Sequence, residues 1–287
     1  MATTISMPRM PLSTDWMRWK NQLQMIVVTE VKRNIFTRRG LWIYLLALAP
    51  AVIVAMHALD SPMGRRCSLG EDTRILAGII QLYYVRLGIF FGCLGIFTWL
   101  FRGEIVQKSL HYYFLAPVRR EVLLVGKFLA GVTTAIFLFG AGVLLSFVFM
   151  YGHFGPAGQN FFFDGPGLAH LRAYLLLTVM ACFGYGAIFL ALSLVFKNPI
   201  IPGAIVFLWE SISGVLPAAL QQLSITFYLK SMAPVAVGSE GILALFTVVA
   251  DPVSVWFAVP GLFLLVIAML IFACWRVRRL EISYSTD

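Results

Sequence analysis

Long apolar runs, separated by short polar or basic stretches, dominate the pattern of this chain. A helix needs about 20 apolar residues to cross about 30 Å of hydrocarbon, and six runs meet or nearly meet that length. They are Leu41–Leu59, Ile75–Phe101, Val122–Tyr151, Leu171–Phe196, Ile200–Leu220 and Val253–Trp275. The pattern therefore predicts an all-α polytopic membrane protein, with six transmembrane helices in a domain over 41–275. The third run is longer than a crossing requires, so one end of its helix should project from the bilayer.

A different pattern precedes the first run. Over Asp15–Arg39, apolar residues recur at steps of three and four and include Trp16 and Trp19, while basic and polar residues take the other side. This spacing is typical of an amphipathic helix that lies in the headgroup plane. We expect residues 1–40 to form a cytoplasmic segment carrying this interfacial helix. A helix solvated on all sides is the alternative.

The stretch between the fifth and sixth runs, 221–251, is mostly apolar but is interrupted by Pro234 and Gly238. Its longest apolar part, Gly241–Ala250, is too short to cross a membrane and too apolar for an ordinary external loop. The pattern predicts a re-entrant or extracellular hairpin before the last span. A loop that merely lies against the membrane remains the alternative.

Composition agrees with a membrane protein and charge gives its orientation. The 287 residues are 60% hydrophobic and carry a net charge of +9. Most basic residues fall before the first run, between the second and third, and after the last. By the positive-inside rule, both termini should be cytoplasmic, including a tail over 276–287. The net charge is thus mainly a topology signal and gives little support to nucleic-acid binding.

One charged segment, which is centred on 102–121, lies between the second and third runs on the predicted cytoplasmic side. It and the start of the next run contain Arg102, Glu104, Lys108, Pro117, Arg119, Arg120 and Lys127. The pair Gly126-Lys127 is similar to the end of a phosphate-binding loop, but Glu121 stands where that loop begins with glycine and Phe128 where it needs Ser or Thr. The chain is therefore not expected to hydrolyse nucleotide itself. No catalytic or metal-binding motif is apparent, since the four histidines are scattered.

Two charges lie inside predicted spans. Arg86 and Glu210 should sit about 24 Å and about 18 Å from the same membrane face, close enough in depth to pair. Ionisable residues at such depth usually face a cavity or a protein interior, so both are candidates for a translocation pathway. The alternative is that Arg86 reaches outward to the interface and Glu210 bonds to neighbouring helices.

The charged segment resembles the stretch after the second span in ABC transporter permeases of the type-2 exporter family. That family has Glu near the start, then Ser/Thr-Leu, Pro followed by Arg, and Gly-Lys at the third span. Here Glu104, Ser109-Leu110, Pro117, Arg119 and Gly126-Lys127 occur in this order. The aromatic cluster His111-Tyr112-Tyr113-Phe114 is bulkier than the aliphatic run usual in the family. The overall layout of helices also agrees with the family.

The resemblance implies a permease that forms the substrate pathway, with 102–121 as a coupling helix that docks on a separate ATPase subunit. It also implies a second permease copy, the same or different, ATP and magnesium bound by the ATPase and no cofactor in this chain. The location would be a bacterial plasma membrane, among lipids. The apolar spans favour a hydrophobic or amphipathic substrate. Two alternatives are a secondary transporter that works alone, which should show internal repeats, and a membrane enzyme or assembly subunit.

Overall fold

A computed structural model describes residues 12–36, 40–60, 68–106, 118–235 and 254–279, and within these ranges the chain is helical without strands. Ten helical segments are numbered in chain order. They are α1 (Leu12–Phe36), α2 (Leu41–Asp60), α3 (69–106), α4 (Arg120–Gly152), α5 (Pro156–Phe163), α6 (Gly167–Val195), α7 (Ile200–Ile212), α8 (Ala218–Gln221), α9 (Ile225–Lys230) and α10 (Val255–Arg278).

Five of these segments are long and apolar enough to cross a membrane, namely α2, most of α3, α4, α6 and α10. The multi-pass membrane character expected from the sequence is therefore supported. The remaining predicted span, Ile200–Leu220, contains the 13-residue helix α7, which is only about 20 Å long. A 3₁₀ turn over Ser213–Val215 and then Pro217 follow it. The helix itself ends at Ile212, so the count of six spans stays a prediction.

Helices α4 and α6 form the centre of the bundle, and α3 packs against both. The ring of Phe97 on α3 fits where Gly131 of α4 and Gly186 of α6 lack a side chain. A Cβ atom on either glycine would come within 2.6 Å or 2.7 Å of that ring. Such small residues let helices approach closely in membrane proteins. Three spans thus meet around one aromatic side chain.

Helix α3 is continuous over 69–106 but its winding changes along its length. It has π-helical turns over Ile79–Ile89 and again over Trp99–Gly103. Helix α4 is regular and, at 33 residues, about 50 Å long. This length agrees with the expectation that the third span extends beyond the hydrocarbon.

The predicted hairpin over 221–251 is described only as far as residue 235. There the short helix α9 buries its apolar residues against α6 and α10. Its Tyr228 packs on Gly261, where a Cβ atom would lie 2.5 Å from the ring, and the hydroxyls of Tyr185 and Thr226 are 3.2 Å apart. The rest of the hairpin, including Gly238 and Gly241–Ala250, lies outside the described residues.

A buried charge cluster as the candidate functional site

Four charged side chains meet where the N-terminal helix α1 packs against α3 and α4, and we call this group the charge cluster. Glu30 and Arg33 come from α1, Glu104 from the end of α3, and Lys127 from the second turn of α4. Glu30, Glu104 and Lys127 are at most 2% exposed, whereas the side chain of Arg33 is 36% exposed. Charged side chains are almost never fully buried unless they are paired, so their partners decide what this cluster does.

Lys127 is the centre of the cluster. Its Nζ donates to Glu30 Oε1 at 2.6 Å, to Glu104 Oε1 at 2.8 Å and to the carbonyl oxygen of Leu100 at 3.1 Å. An ammonium group has three N–H donors, and each has an acceptor. The ring of Phe101 also lies 5.5 Å from Nζ. One side chain of α4 therefore binds both α1 and α3.

Arg33 closes the cluster on the exposed side. Its guanidinium contacts Glu104 Oε1 at 2.9 Å and Glu30 Oε2 at 2.8 Å. The two carboxylates then face two cations, so the cluster as a whole is neutral. Removing one member of a buried ion pair leaves an uncompensated charge and costs about 3–5 kcal/mol.

Gly126 explains how α1 comes close enough for these bonds. A Cβ atom at this position would lie 2.8 Å from Cγ2 and 3.2 Å from Cβ of Ile26 on α1. Only a residue without a side chain permits this contact, and the next residue along α4 is Lys127. The Gly-Lys pair noticed in the sequence thus has two linked roles, since the glycine allows the approach and the lysine holds it.

Further contacts fix the start of α4 beside the cluster. The guanidinium of Arg119 lies 4.5 Å from the ring centre of Trp19 on α1. Arg120 donates to the backbone carbonyl of Arg278, near the end of α10, at 3.0 Å. The side chain of Arg278 in turn pairs with Glu121. The described residues on either side of 107–117 are therefore bonded into a common base formed by α1, α3, α4 and α10.

The predicted coupling residues divide into three groups in the structure. Glu104 and Lys127 are buried in the charge cluster, so they face the chain's own helices and offer no surface for a partner. Arg119 is exposed, and Arg102 and Arg120 are half-buried. Lys108 and Pro117 lie outside the described residues.

Glu30 is not among the functional residues predicted from the sequence, although its position in the amphipathic helix points to a buried partner. It follows Ile26 by four residues and Val27 by three, which places it on the apolar side of the amphipathic helix. A carboxylate on that side gains nothing from lipid and requires a cation. Its partner Lys127 lies 97 residues away, so the sequence alone did not identify it.

The predicted pathway residues lie apart from the charge cluster, deeper in the bundle. Arg86 and Glu210 are 6% and 2% exposed. The Glu210 carboxylate accepts hydrogen bonds from Ser224 Oγ at 2.8 Å and from the backbone N–H groups of Ile225 and Thr226, both at 2.9 Å. It thereby caps α9. A role for these two residues in transport stays a prediction.

The described residues hold no group of three or more His, Cys, Asp or Glu side chains that could bind a metal ion. The charge cluster itself has no nucleophile beside a base, and its charges bond one another. What this arrangement can do is hold three helices in a fixed relation. Comparison with models of protein families and with curated proteins finds no match for this chain.

Proposed function

We propose that the chain is the membrane-spanning permease subunit of an ATP-driven exporter, similar to the type-2 ABC family, and that a separate ATPase subunit drives it. The observation that supports this most is the set of bonds that joins the described residues on either side of 107–117. Glu104 precedes the segment and Lys127 follows it, and their side chains bond each other at 2.8 Å. A segment held at both ends passes a displacement to the helices that hold it.

The route of that displacement follows from the contacts. A push on 107–117 reaches α3 and α4 through their backbones, because the segment joins the two. It reaches α1 through Glu30 and Arg33, and α10 through Arg120 and Glu121. A buried network of charges resists separation, so these four helices should move together. We therefore assign Glu104 and Lys127 to transmission, and the exposed Arg119 to contact with the ATPase.

The remaining parts of the proposal rest on the resemblance and on composition. A second permease copy would complete the transporter, and ATP and magnesium would be bound by the ATPase pair. Both termini would face the cytoplasm of a bacterial cell. The substrate would be hydrophobic or amphipathic, because the spans offer few polar groups to a sugar or a small ion.

Co-purification tests the central statement. The tagged chain would be expressed with a candidate P-loop ATPase from the same genome, extracted in mild detergent and returned to lipid. We expect a stable complex with equal numbers of the two subunits and ATP hydrolysis that depends on the chain. Transport by the chain alone, without any nucleotide-binding partner, would refute the proposal in favour of a secondary transporter. A stable complex with no transport activity would favour an assembly subunit.

Photo-cross-linking locates the contact. A photoreactive amino acid would replace Arg119, and the matched control would carry it at Phe163, which is 74% exposed beyond the opposite end of α4. We expect the ATPase to be captured from position 119 and not from position 163. Equal capture from both positions, or capture from 163 alone, would contradict the proposed docking side.

A further inference from the structure

Three helix ends meet around Asp72, at the other end of the bundle from the charge cluster. Asp72 lies in the first turn of α3, His57 lies in the last turn of α2, and His153 is the residue that ends α4. Glu104 follows Asp72 by 32 residues along α3, or about 48 Å at 1.5 Å per residue. We call Asp72, His57 and His153 the His-Asp site.

The carboxylate of Asp72 is buried and requires a positive charge nearby. Its side chain is 2% exposed, and an aspartate in such a place is almost never left unpaired. In the described part of the chain, two groups that can carry a positive charge lie within 4 Å of its Oδ2 atom. They are Nε2 of His153, at 3.6 Å, and Nε2 of His57, at 3.8 Å. Because an imidazole is positive only when both nitrogens carry a proton, the missing charge can come from proton binding.

The same atoms lack hydrogen bonds. Both distances exceed the 2.7–3.2 Å usual for an N–H donor and an oxygen acceptor. Asp72 Oδ2 and both ring nitrogens of His153 are buried, and among the described residues none of these atoms has a hydrogen-bond partner. A neutral imidazole could donate to the carboxylate after a small movement of the ring, but it would leave the negative charge unbalanced. An imidazolium supplies the donor and the charge together, in a stronger bond.

The helix dipoles favour this distribution of charge. The N-terminus of a helix is partly positive and stabilises an anion, whereas the C-terminus is partly negative and stabilises a cation. Asp72 lies at the N-terminal end of α3, and the two histidines lie at the C-terminal ends of α2 and α4. A pair formed by the carboxylate and one imidazolium is therefore aligned with the dipoles of the helices that carry it.

The geometry limits the His-Asp site to one proton and gives that proton a way in. The ring centres of His57 and His153 are 6.1 Å apart, so two imidazolium ions would repel each other with a single carboxylate to balance them. The side chain of His153 is 8% exposed, whereas that of His57 is 40% exposed. Water can therefore reach the site at His57, while the bond to Asp72 forms in a more enclosed place at His153.

Other groups at this end of the bundle were considered as sources of the charge. Tyr151 donates to Thr73 Oγ1 at 3.1 Å and joins α4 to α3 without a charge. Glu71, Arg74 and Asp164 are exposed. Further titratable residues there are Asp60 at the end of α2 and His170 and Tyr174 on α6. Arg65 and Arg66, between α2 and α3, lie outside the described residues.

We propose that the His-Asp site binds one proton and, when it does, holds the ends of α2, α3 and α4 together. His153 Nε2 takes the proton from water and donates it in a hydrogen bond to Asp72 Oδ2. When the pH rises and the proton leaves, the carboxylate loses its countercharge and the three ends separate more easily. Opening of this end of the bundle therefore depends on the pH of the compartment that it faces. This inference requires no ATPase and no substrate, so it and the proposed function can fail separately.

Amide hydrogen exchange of the purified full-length chain in lipid nanodiscs tests the proposal. Peptides from the last turns of α2 and α4 would be compared at about pH 5 and about pH 8, between which an ordinary imidazole titrates. Rates are corrected for the intrinsic effect of pH, and EDTA excludes metal ions. We expect about tenfold or more greater protection at the lower pH, as for a hydrogen bond to a charged group. Equal protection at the two pH values would overturn the proposal and point to Arg65 or Arg66 as the countercharge of Asp72.

Variants then locate the site. Asp72→Asn keeps the shape of the side chain and removes its charge, so the change with pH should fall to about twofold or less. His170→Gln is the matched control at the same end of the bundle, because His170 packs on the rings of Phe161 and Tyr174, and it should keep the change of about tenfold. If Asp72→Asn fails to fold, His57→Gln with His153→Gln replaces it and should give low protection at both pH values. A change with pH that persists at full size in either of these site variants would refute the proposal.

Discussion

Replacing Lys127 by methionine would remove one positive charge and three hydrogen bonds from the charge cluster while keeping a side chain of similar length. Glu30 and Glu104 would remain buried with only Arg33 to balance them. Breaking a buried ion pair from one side costs about 3–5 kcal/mol, and we expect a loss in that range in the free energy of unfolding. Unfolding of the purified chain by SDS in mixed micelles, followed by tryptophan fluorescence, measures it.

The structure also predicts how this loss can be reversed. Adding Glu30→Gln to Lys127→Met leaves Glu104 and Arg33 as a balanced pair, so the double variant should be more stable than Lys127→Met by about 1 kcal/mol or more. Coupling of this size is expected for residues in one network. Lys197→Met is the control, because Lys197 is exposed and should change stability by no more than about 0.5 kcal/mol. If Lys127→Met behaved like this control, or if the effects of the two substitutions were additive, the charge cluster would not hold α1, α3 and α4 together as described above.

Two further predictions concern the packing of α1 and of α9. Gly126→Ala should loosen α1 from α4 by about 1–3 kcal/mol, because the new methyl overlaps Ile26, and faster proteolysis within α1 would report it. Gly140→Ala on the same helix has open space around it and should be neutral or slightly stabilising, so equal effects would argue against the close contact. Glu210→Gln should release α9 and speed amide hydrogen exchange over 225–230 by about tenfold or more, whereas Ser211→Ala, whose hydroxyl bonds its own helix, should not. Unchanged exchange in Glu210→Gln would refute the capping role.

The spans and the N-terminal helix could be predicted from the sequence because their signals are local. A run of about 20 apolar residues requires a membrane or a large core whatever surrounds it, and the three- and four-residue spacing before Arg39 requires a helix. The end of α7 was harder to foresee. The sequence from Ile200 to Leu220 is apolar throughout. Hydropathy alone therefore predicts one span there, even though the stretch contains Pro217.

The site could be predicted only in part. The sequence indicated Glu104 and Lys127 as residues that couple to an ATPase, and the Gly126-Lys127 pair as the entry to the third span. Their burial depends on Glu30 and Arg33, which meet Lys127 only after α1 has packed beside α4. A contact across 97 residues leaves no trace in local periodicity. The segment containing Lys108 and Pro117 lies outside the described residues, so its predicted role there stays a prediction.

The charge cluster also sets an order of assembly during synthesis. Glu30 is made 97 residues before Lys127, which at 5–20 residues per second is about 5–20 s. In that interval Glu30 already has a local partner, because Arg33 is three residues away in the same helix. Glu104 arrives next, and Lys127 last. The carboxylate of the nascent N-terminal helix is therefore paired from the start, and Lys127 then bonds this helix to α3 and α4 before the later helices have been made.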